Sequence, residues 1–390
     1  MRAFAAFFGA ILCMAAPALS SPPLHRNGRF TYKGGCISKV ELKHNKFVFG
    51  TAYSPEGVKP ADMDWYQTRA VRDFWGLVPE NAFKWNFYEP GPGSIARGRN
   101  ITQTRYLDFA RKHGISHVRG TTLDWGVYLD QCNAQFCFWP YTLSCQGYAN
   151  ALKTHVQREV ATFKGQFKAY DVFNEVIAHP GMLGRCNLWR TTFPDAFKWA
   201  HAADPAAILT INDFGLIEGP SADKMVALVN GLREDGAPVH AIGIQAHFSG
   251  APDLVKIKAR LDILAKTGLK LYITETSIFS TWKGSTGGPQ NDLDEATHAA
   301  RLISLIRLCY EHPAVNGFFL WGFWDGNMWV KKAGIYRADK TPKPAATAVR
   351  ALWNEYNRVI VHPGPNSVTF EGPHGCYRIT NRTATVTKCF

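Results

Sequence analysis

The stretch that decides the reading is Ala169 to Ile177, AYDVFNEVI. It is apolar and rich in β-branched and aromatic residues, the composition of a buried strand, and it delivers Asn174 and Glu175 at its end. A second run, Leu269 to Ile278 (LKLYITETSI), repeats the design and carries Glu275. Each run therefore brings a carboxyl to one edge of a sheet.

Working outward, strand-like runs recur at Phe47 to Tyr53, Phe74 to Pro79, Ser116 to Leu123, Ala169 to Glu175, Ala207 to Asn212, Ala241 to His247, Lys270 to Glu275 and Gly317 to Trp321. Helical spacing fills the intervals: Pro60 to Arg72, Gln103 to Lys112, Tyr148 to Phe163, Asp195 to Ala203, Ser221 to Glu234, Asp253 to Thr267 and Asp292 to Tyr310, with Pro342 to Tyr356 closing the series. This alternation predicts a (β/α)8 TIM barrel. An open doubly wound sheet is the competitor, but it would want a Gly-rich phosphate turn after the first strand, and Gly50-Thr51-Ala52-Tyr53 is none.

The flanks read differently. Arg2, the apolar run Ala3 to Ala16 and the small residues Ala18-Leu19-Ser20 have the form of a secretory leader. Residues 21–46 are polar and irregular, with a short strand at Phe30 to Lys33. Past the last helix, Pro363-Gly364-Pro365 breaks the chain, and short strands follow at Val368 to Phe370, Cys376 to Ile379 and Ala384 to Cys389. The expected organisation is a leader (1–20), an N-terminal segment (21–46), a catalytic barrel (47–360) and a small C-terminal β appendage (361–390).

Once Cys13 leaves with the leader, eight cysteines remain, and an even number in an exported chain favours disulfides over metal. Cys376 with Cys389 is expected, together with pairs within the group Cys132, Cys137, Cys145 and Cys186. The formal charge is +13, from 44 basic and 31 acidic residues, but the basic residues are scattered with no run beyond Lys331-Lys332. A solvated surface or a polyanionic glycan fits that pattern better than a nucleic-acid groove. The leader is too short to span a bilayer and no later run is long enough, so no membrane role is expected. The expected mature protein is an exported monomer that needs no metal or organic cofactor.

In a parallel barrel, polar residues at the carboxyl ends of strands converge on one face. Here those ends supply Glu80, Asn81 and Lys84; Arg119, Thr121 and Trp125; Asn174 and Glu175; Asn212 and Asp213; Gln245 and His247; Glu275; and Trp321, Trp324 and Trp329. Sugars ask for this mixture, since hydroxyls need polar partners while C–H faces stack on aromatic rings. Two carboxylates on two strand ends are also the minimum equipment for hydrolysing a glycosidic bond.

Six ordered motifs then carry a resemblance. Glu80-Asn81-Ala82-Phe83-Lys84-Trp85 with Glu89-Pro90, Asp171-Val172-Phe173-Asn174-Glu175, Ile211-Asn212-Asp213-Phe214, Gly243-Ile244-Gln245-Ala246-His247, Ile273-Thr274-Glu275 and Trp321-Gly322-Phe323-Trp324-Asp325 resemble the strand ends of glycoside hydrolase family ten, the retaining endo-β-1,4-xylanases. The resemblance implies that Glu175 is the general acid/base and Glu275 the nucleophile, with carboxyls about 5 to 5.5 Å apart. It implies that Asn174 binds the sugar 2-hydroxyl and that His247 and Gln245 orient Glu275. Glu80, Asn81, Lys84, Trp125, Trp321 and Trp329 would line the sugar subsites.

Three departures stand out. The family's third-strand motif, Arg-Gly-His-Thr-Leu-x-Trp-His, reads here Arg119-Gly120-Thr121-Thr122-Leu123-Asp124-Trp125-Gly126, so both histidines are gone. Where the family follows its nucleophile with an aspartate, this chain has Ser277. The insertion from Tyr128 to Cys145 is expected to form a disulfide-bound loop beside the site. Xylan is the expected substrate. The alternatives are a hydrolase of another glycan, such as a microbial exopolysaccharide, and a catalytically silent carbohydrate-binding protein.

Overall fold

The computed structural model describes residues 27–33, 37–95, 97–133, 137–283, 288–363, 367–381 and 385–390. The leader and Cys36 lie outside them. The chain divides into two compact units, Phe47–Arg350 on one side and the Met1–Lys46 and Ala351–Phe390 segments on the other.

The larger unit is the barrel. Its strands are β1 (Val48–Tyr53), β2 (Gly76–Pro79), β3 (His117–Gly120), β4 (Ala169–Asn174), β5 (Ile208–Asp213), β6 (Ala241–Ser249), β7 (Lys270–Phe279) and β8 (Val315–Leu320). Each pairs in parallel with the next, β8 returns to β1, and Arg119 and Gly120 of β3 meet Ala169 and Tyr170 of β4. The sheet is therefore closed. Strands covered on both faces have to be apolar throughout. Tyr170, Val172, Ile211, Ile242, Ile244, Ile273 and Phe318 accordingly have no exposed surface. The long helices fall where the periodicity put them, from Pro60–Asp73 to Pro344–Tyr356.

Two local irregularities aim the site. The pairing of β4 with β5 shifts between Asp171 and Phe173, just before Asn174 and Glu175. The pairing of β7 with β6 shifts between Ile273 and Glu275. A bulge re-aims the side chains that follow it, and here both of the strands that carry a key carboxyl have one.

The smaller unit differs from expectation. The segment expected to be irregular apart from a short strand at Phe30 to Lys33 contains two strands, Asn27–Lys33 and Ile37–Asn45. The first pairs antiparallel with Ser367–Pro373, which also pairs with Ile360–Pro363. The second pairs with Gly375–Asn381, which also pairs with Thr385–Cys389. The β appendage is thus built from both flanks of the chain. Val368, Phe370, Tyr377 and Ile379 form its core, packed by Phe30, Tyr32, Val40 and Leu42. Those four alternate along their strands, but a period of two over a few residues among lysines is a weak signal without the partner strand.

The disulfides among the described residues are Cys132–Cys137, Cys145–Cys186 and Cys376–Cys389, within the groups expected. Cys309 is buried and outside any disulfide. No helix among the described residues is long and apolar enough to cross a membrane.

Candidate active site

The carboxyl ends of the strands open into a cleft of about 770 Å³. Its walls include all eleven residues to which the resemblance gives a role, Glu80, Asn81, Lys84, Trp125, Asn174, Glu175, Gln245, His247, Glu275, Trp321 and Trp329, and also Thr121, whereas the strand-end residues Arg119, Asn212, Asp213 and Trp324 do not line it.

Glu175 leaves β4 in the left-handed region, at φ 58°. A non-glycine residue there is strained and has to be held by its surroundings. Its backbone N–H donates to the Asn212 carbonyl at 2.7 Å, and its carbonyl accepts from His179 N–H at 2.6 Å. The side chain is fixed as firmly: the Trp125 indole donates to Oε2 at 2.8 Å and the Gln245 amide donates to Oε1 at 2.8 Å. Burial pushes the Glu175 carboxyl above its ordinary value; the Gln245 hydrogen bond opposes this and the charge of Glu275 adds to it.

Glu275 has the opposite balance. The Asn212 amide donates to its Oε1 at 3.1 Å, and His247 Nε2 lies 3.4 Å from its Oε2. Burial pulls this carboxyl upward too, but the hydrogen bond and charge of His247, then Arg119 and Lys84, hold it below its ordinary value. Arg119 is buried beneath the site, paired with Asp171 and donating to the Thr274 carbonyl at 3.0 Å. Two buried carboxyls with proton affinities pushed in opposite directions are suited to an acid and a nucleophile.

A chain of amides joins them. Asn174 Oδ1 accepts from Gln245 at 3.3 Å and from Asn212 at 2.8 Å, so Gln245 reaches Glu175 and Asn212 reaches Glu275 through one shared acceptor. Thr274 fixes Asn212 in turn, donating to its Oδ1 at 2.6 Å. The structure corrects the expectation for Gln245, which contacts Glu175 rather than Glu275. Gln245 is the ladder partner of Glu275, but its side-chain amide reaches across the barrel mouth to the end of β4. Asn212 was visible at a strand end, but nothing in its local sequence marks it as the link.

The remaining walls interleave polar and aromatic side chains. Lys84 Nζ donates to Asn81 Oδ1 at 2.9 Å and lies 5.0 Å from the Trp125 ring centre. Burial lowers the proton affinity of Lys84, against the pull of Glu275, Glu80 and Glu175. Glu80 accepts from the Ser54 hydroxyl. Trp329 is 43% exposed, packs edge-on against His247 at 4.9 Å and lies 5.9 Å from Trp282. His179, Phe214, Glu218, Phe279 and Trp282 also face the cleft; the first three sit in loops after strand ends, where sequence patterns are weakest, Phe279 ends β7 and Trp282 lies just beyond it. Asp124 and Asp325 are structural, the first accepting from Tyr141 and the second paired with Lys343.

The departures have local explanations. A Cβ on Gly126 would lie 1.9 Å from the His179 carbonyl oxygen and 2.7 Å from Gly181 N, so no side chain fits. Thr121 faces the cleft. Ser277 sits opposite His247 in the β6–β7 register. The insertion after Trp125 is closed by Cys132–Cys137 and tied to the loop after β4 by Cys145–Cys186.

A closed parallel barrel whose mouth pairs two carboxyls among amides and indoles is the framework of a glycoside hydrolase. The model of Glycosyl hydrolase family 10 matches residues 38–352, and the chain belongs to that family. It is 31% identical to endo-1,4-beta-xylanase B of Thermotoga neapolitana over 312 residues, covering 75% of this chain and 85% of that protein. It is also 31% identical over 344 residues to anti-sigma-I factor RsgI6 of Acetivibrio thermocellus, but spans only 41% of that relative's length. Among solved structures, xylanase 10B from Thermotoga petrophila RKU-1 in complex with xylobiose aligns at a TM-score of 0.68 and 25% identity, covering 80% of this chain and 94% of that one. The protein is a glycoside hydrolase of the xylanase-like kind.

Proposed function

We propose that this chain is an exported endo-β-1,4-xylanase that works with retention, through a covalent glycosyl-enzyme intermediate. Glu275, kept ionised, attacks the anomeric carbon while Glu175 protonates the departing oxygen. Glu175, now a carboxylate, then takes a proton from water as the water attacks the intermediate and releases Glu275. Asn174 binds the 2-hydroxyl of the sugar at the point of cleavage. His247 holds Glu275, Gln245 and Trp125 hold Glu175, and Glu80, Asn81, Lys84, Trp321 and Trp329 line the subsites. The observation that carries this reading is the opposed pair: Glu175 pushed toward its acid and Glu275 toward its carboxylate, linked through Asn174 and Asn212.

The replacement of two family histidines and one aspartate by Thr121, Gly126 and Ser277 favours a second reading, cleavage of another β-linked glycan by the same chemistry. Product analysis separates the two. The mature protein, beside its Glu275→Ala variant, is incubated with xylan, arabinoxylan, β-glucans and acidic exopolysaccharides. Xylo-oligosaccharides released by the unmutated protein alone are the expected result. Products from another glycan alone would replace the substrate, and binding without turnover across the panel would sink the catalytic reading.

A further inference from the structure

Two loops meet over Glu175, and they are braced at both ends. One follows Trp125 and the other follows β4. Their far ends are joined by Cys145–Cys186. Their near ends touch through Gly126, whose missing side chain leaves room for the backbone of His179 to Gly181. Between these points, His179 Nδ1 lies 2.5 Å from Asp130 Oδ2. The other ring nitrogen, Nε2, faces inward, 3.8 Å from Glu175 Oε2, the oxygen that the Trp125 indole already engages. The His179 N–H also donates to the Glu175 carbonyl, so backbone and ring of one residue act on the same glutamate.

We propose that His179, held by Asp130, is a positioning residue for the acid/base carboxyl: it braces the strained turn at Glu175 and faces its outer oxygen with an oriented imidazole. This rests on the assignment of Glu175 above. Asp130 accepts the Nδ1 proton and so fixes which nitrogen points at Glu175. At 3.8 Å the ring acts on the carboxyl through its charge rather than as a hydrogen-bond partner. The groups facing Glu175 are Glu275, Gln245, Trp125 and Tyr128, with Lys84 and Asp213 within reach of its charge. Those facing His179 are Asp130, Glu175 and the Phe214 ring. Within this set, His179 opposes the rise that burial and Glu275 impose on Glu175. The family pattern places a histidine directly after Trp125. In this chain that position is closed, and a histidine reaches the acid/base from the opposite loop.

The test compares kcat/KM against pH for the wild type, His179→Gln and Asp130→Asn. The substrates are phenyl β-xylobioside, which needs proton donation, and 2,4-dinitrophenyl β-xylobioside, which hardly does. His179→Gln is expected to lose about 10-fold on the phenyl substrate and clearly less on the dinitrophenyl one. Removing the imidazole also lets Glu175 hold its proton to higher pH, so the alkaline limb moves upward. Asp130→Asn, which leaves the histidine in place but frees its ring, is expected to give a smaller loss with the same leaving-group dependence. Equal losses on both substrates with an unmoved alkaline limb, or variants that match the wild type, would overturn the inference alone. A wild type that turns over neither substrate would overturn it together with the assignment of Glu175.

Discussion

Ser277 and His247 face each other as register partners on neighbouring strands, yet neither the Ser277 hydroxyl nor His247 Nδ1 finds a hydrogen-bond partner among the described residues. The histidine is therefore held at its Glu275 side and loose at its back. Ser277→Asp would supply an acceptor for Nδ1–H and fix the ring. The expected outcome is a gain in kcat on an aryl xylobioside of about 3- to 10-fold, read from initial rates. A loss would mean that the hydroxyl serves this chain as it stands.

Asn212 donates to both Asn174 and Glu275. Asn212→Asp removes those bonds and sets a third carboxylate beside the proposed nucleophile. Glu275 has to be ionised to attack, and both changes raise its proton affinity, so the acid limb of kcat/KM moves to higher pH. The fall in kcat at neutral pH is expected to be on the order of 10²-fold. An unmoved acid limb in the pH–rate profile would count against the role of Glu275.

Gly126 has no room for a side chain. Gly126→Ala forces the His179 carbonyl away and is expected to cost about 1–3 kcal/mol in urea unfolding, with activity falling in step. Gly126→His, which restores the family residue, should do worse rather than better. Recovery of activity in that variant would show that the loop after β4 can yield.

Asp124 is buried, and burial pushes its carboxyl up to about 6, against the hydrogen bond from Tyr141. Its folded value lies above its unfolded one, so its contribution is most favourable below about pH 4 and is lost as pH rises through 6. Asp124→Asn keeps an acceptor for Tyr141 and removes this dependence. Between pH 4 and pH 8, the stability difference should move in favour of the variant by about 3 kcal/mol, measured by denaturant melts. A difference independent of pH would contradict the account.

Cys145–Cys186 spans 41 residues and Cys132–Cys137 spans 5. On loop entropy, replacing Cys145 and Cys186 by serine should cost about 4 kcal/mol, and replacing Cys132 and Cys137 about 2 kcal/mol. Chemical denaturation of the two double variants checks the order.

Much of this molecule is written locally. The barrel strands are apolar from end to end and finish in polar residues, so AYDVFNEVI declares both its place in the sheet and the direction in which Glu175 leaves it. The cleft followed for the same reason. Contacts that cross the barrel mouth or depend on a meeting of loops were not legible. Gln245 reaches Glu175 across the barrel mouth from a strand that does not pair with β4, and His179 approaches it through a loop that packs on Gly126. Of the two amino-terminal strands only Phe30 to Lys33 was legible; Ile37–Asn45 was not, because strand pairing is visible only with both partners in hand.

Those two strands also set an order of events during synthesis. Thr31 and Thr369, side by side in the finished sheet, are 338 residues apart. The barrel between them emerges and acquires all its strands first, while the early pair waits with open edges for partners translated last. Long-range pairing of this kind is slow, and unpaired edges invite association with other chains. Nascent chains stalled or cut after the barrel would carry all eight barrel strands together with amino-terminal strands whose edges have no partner.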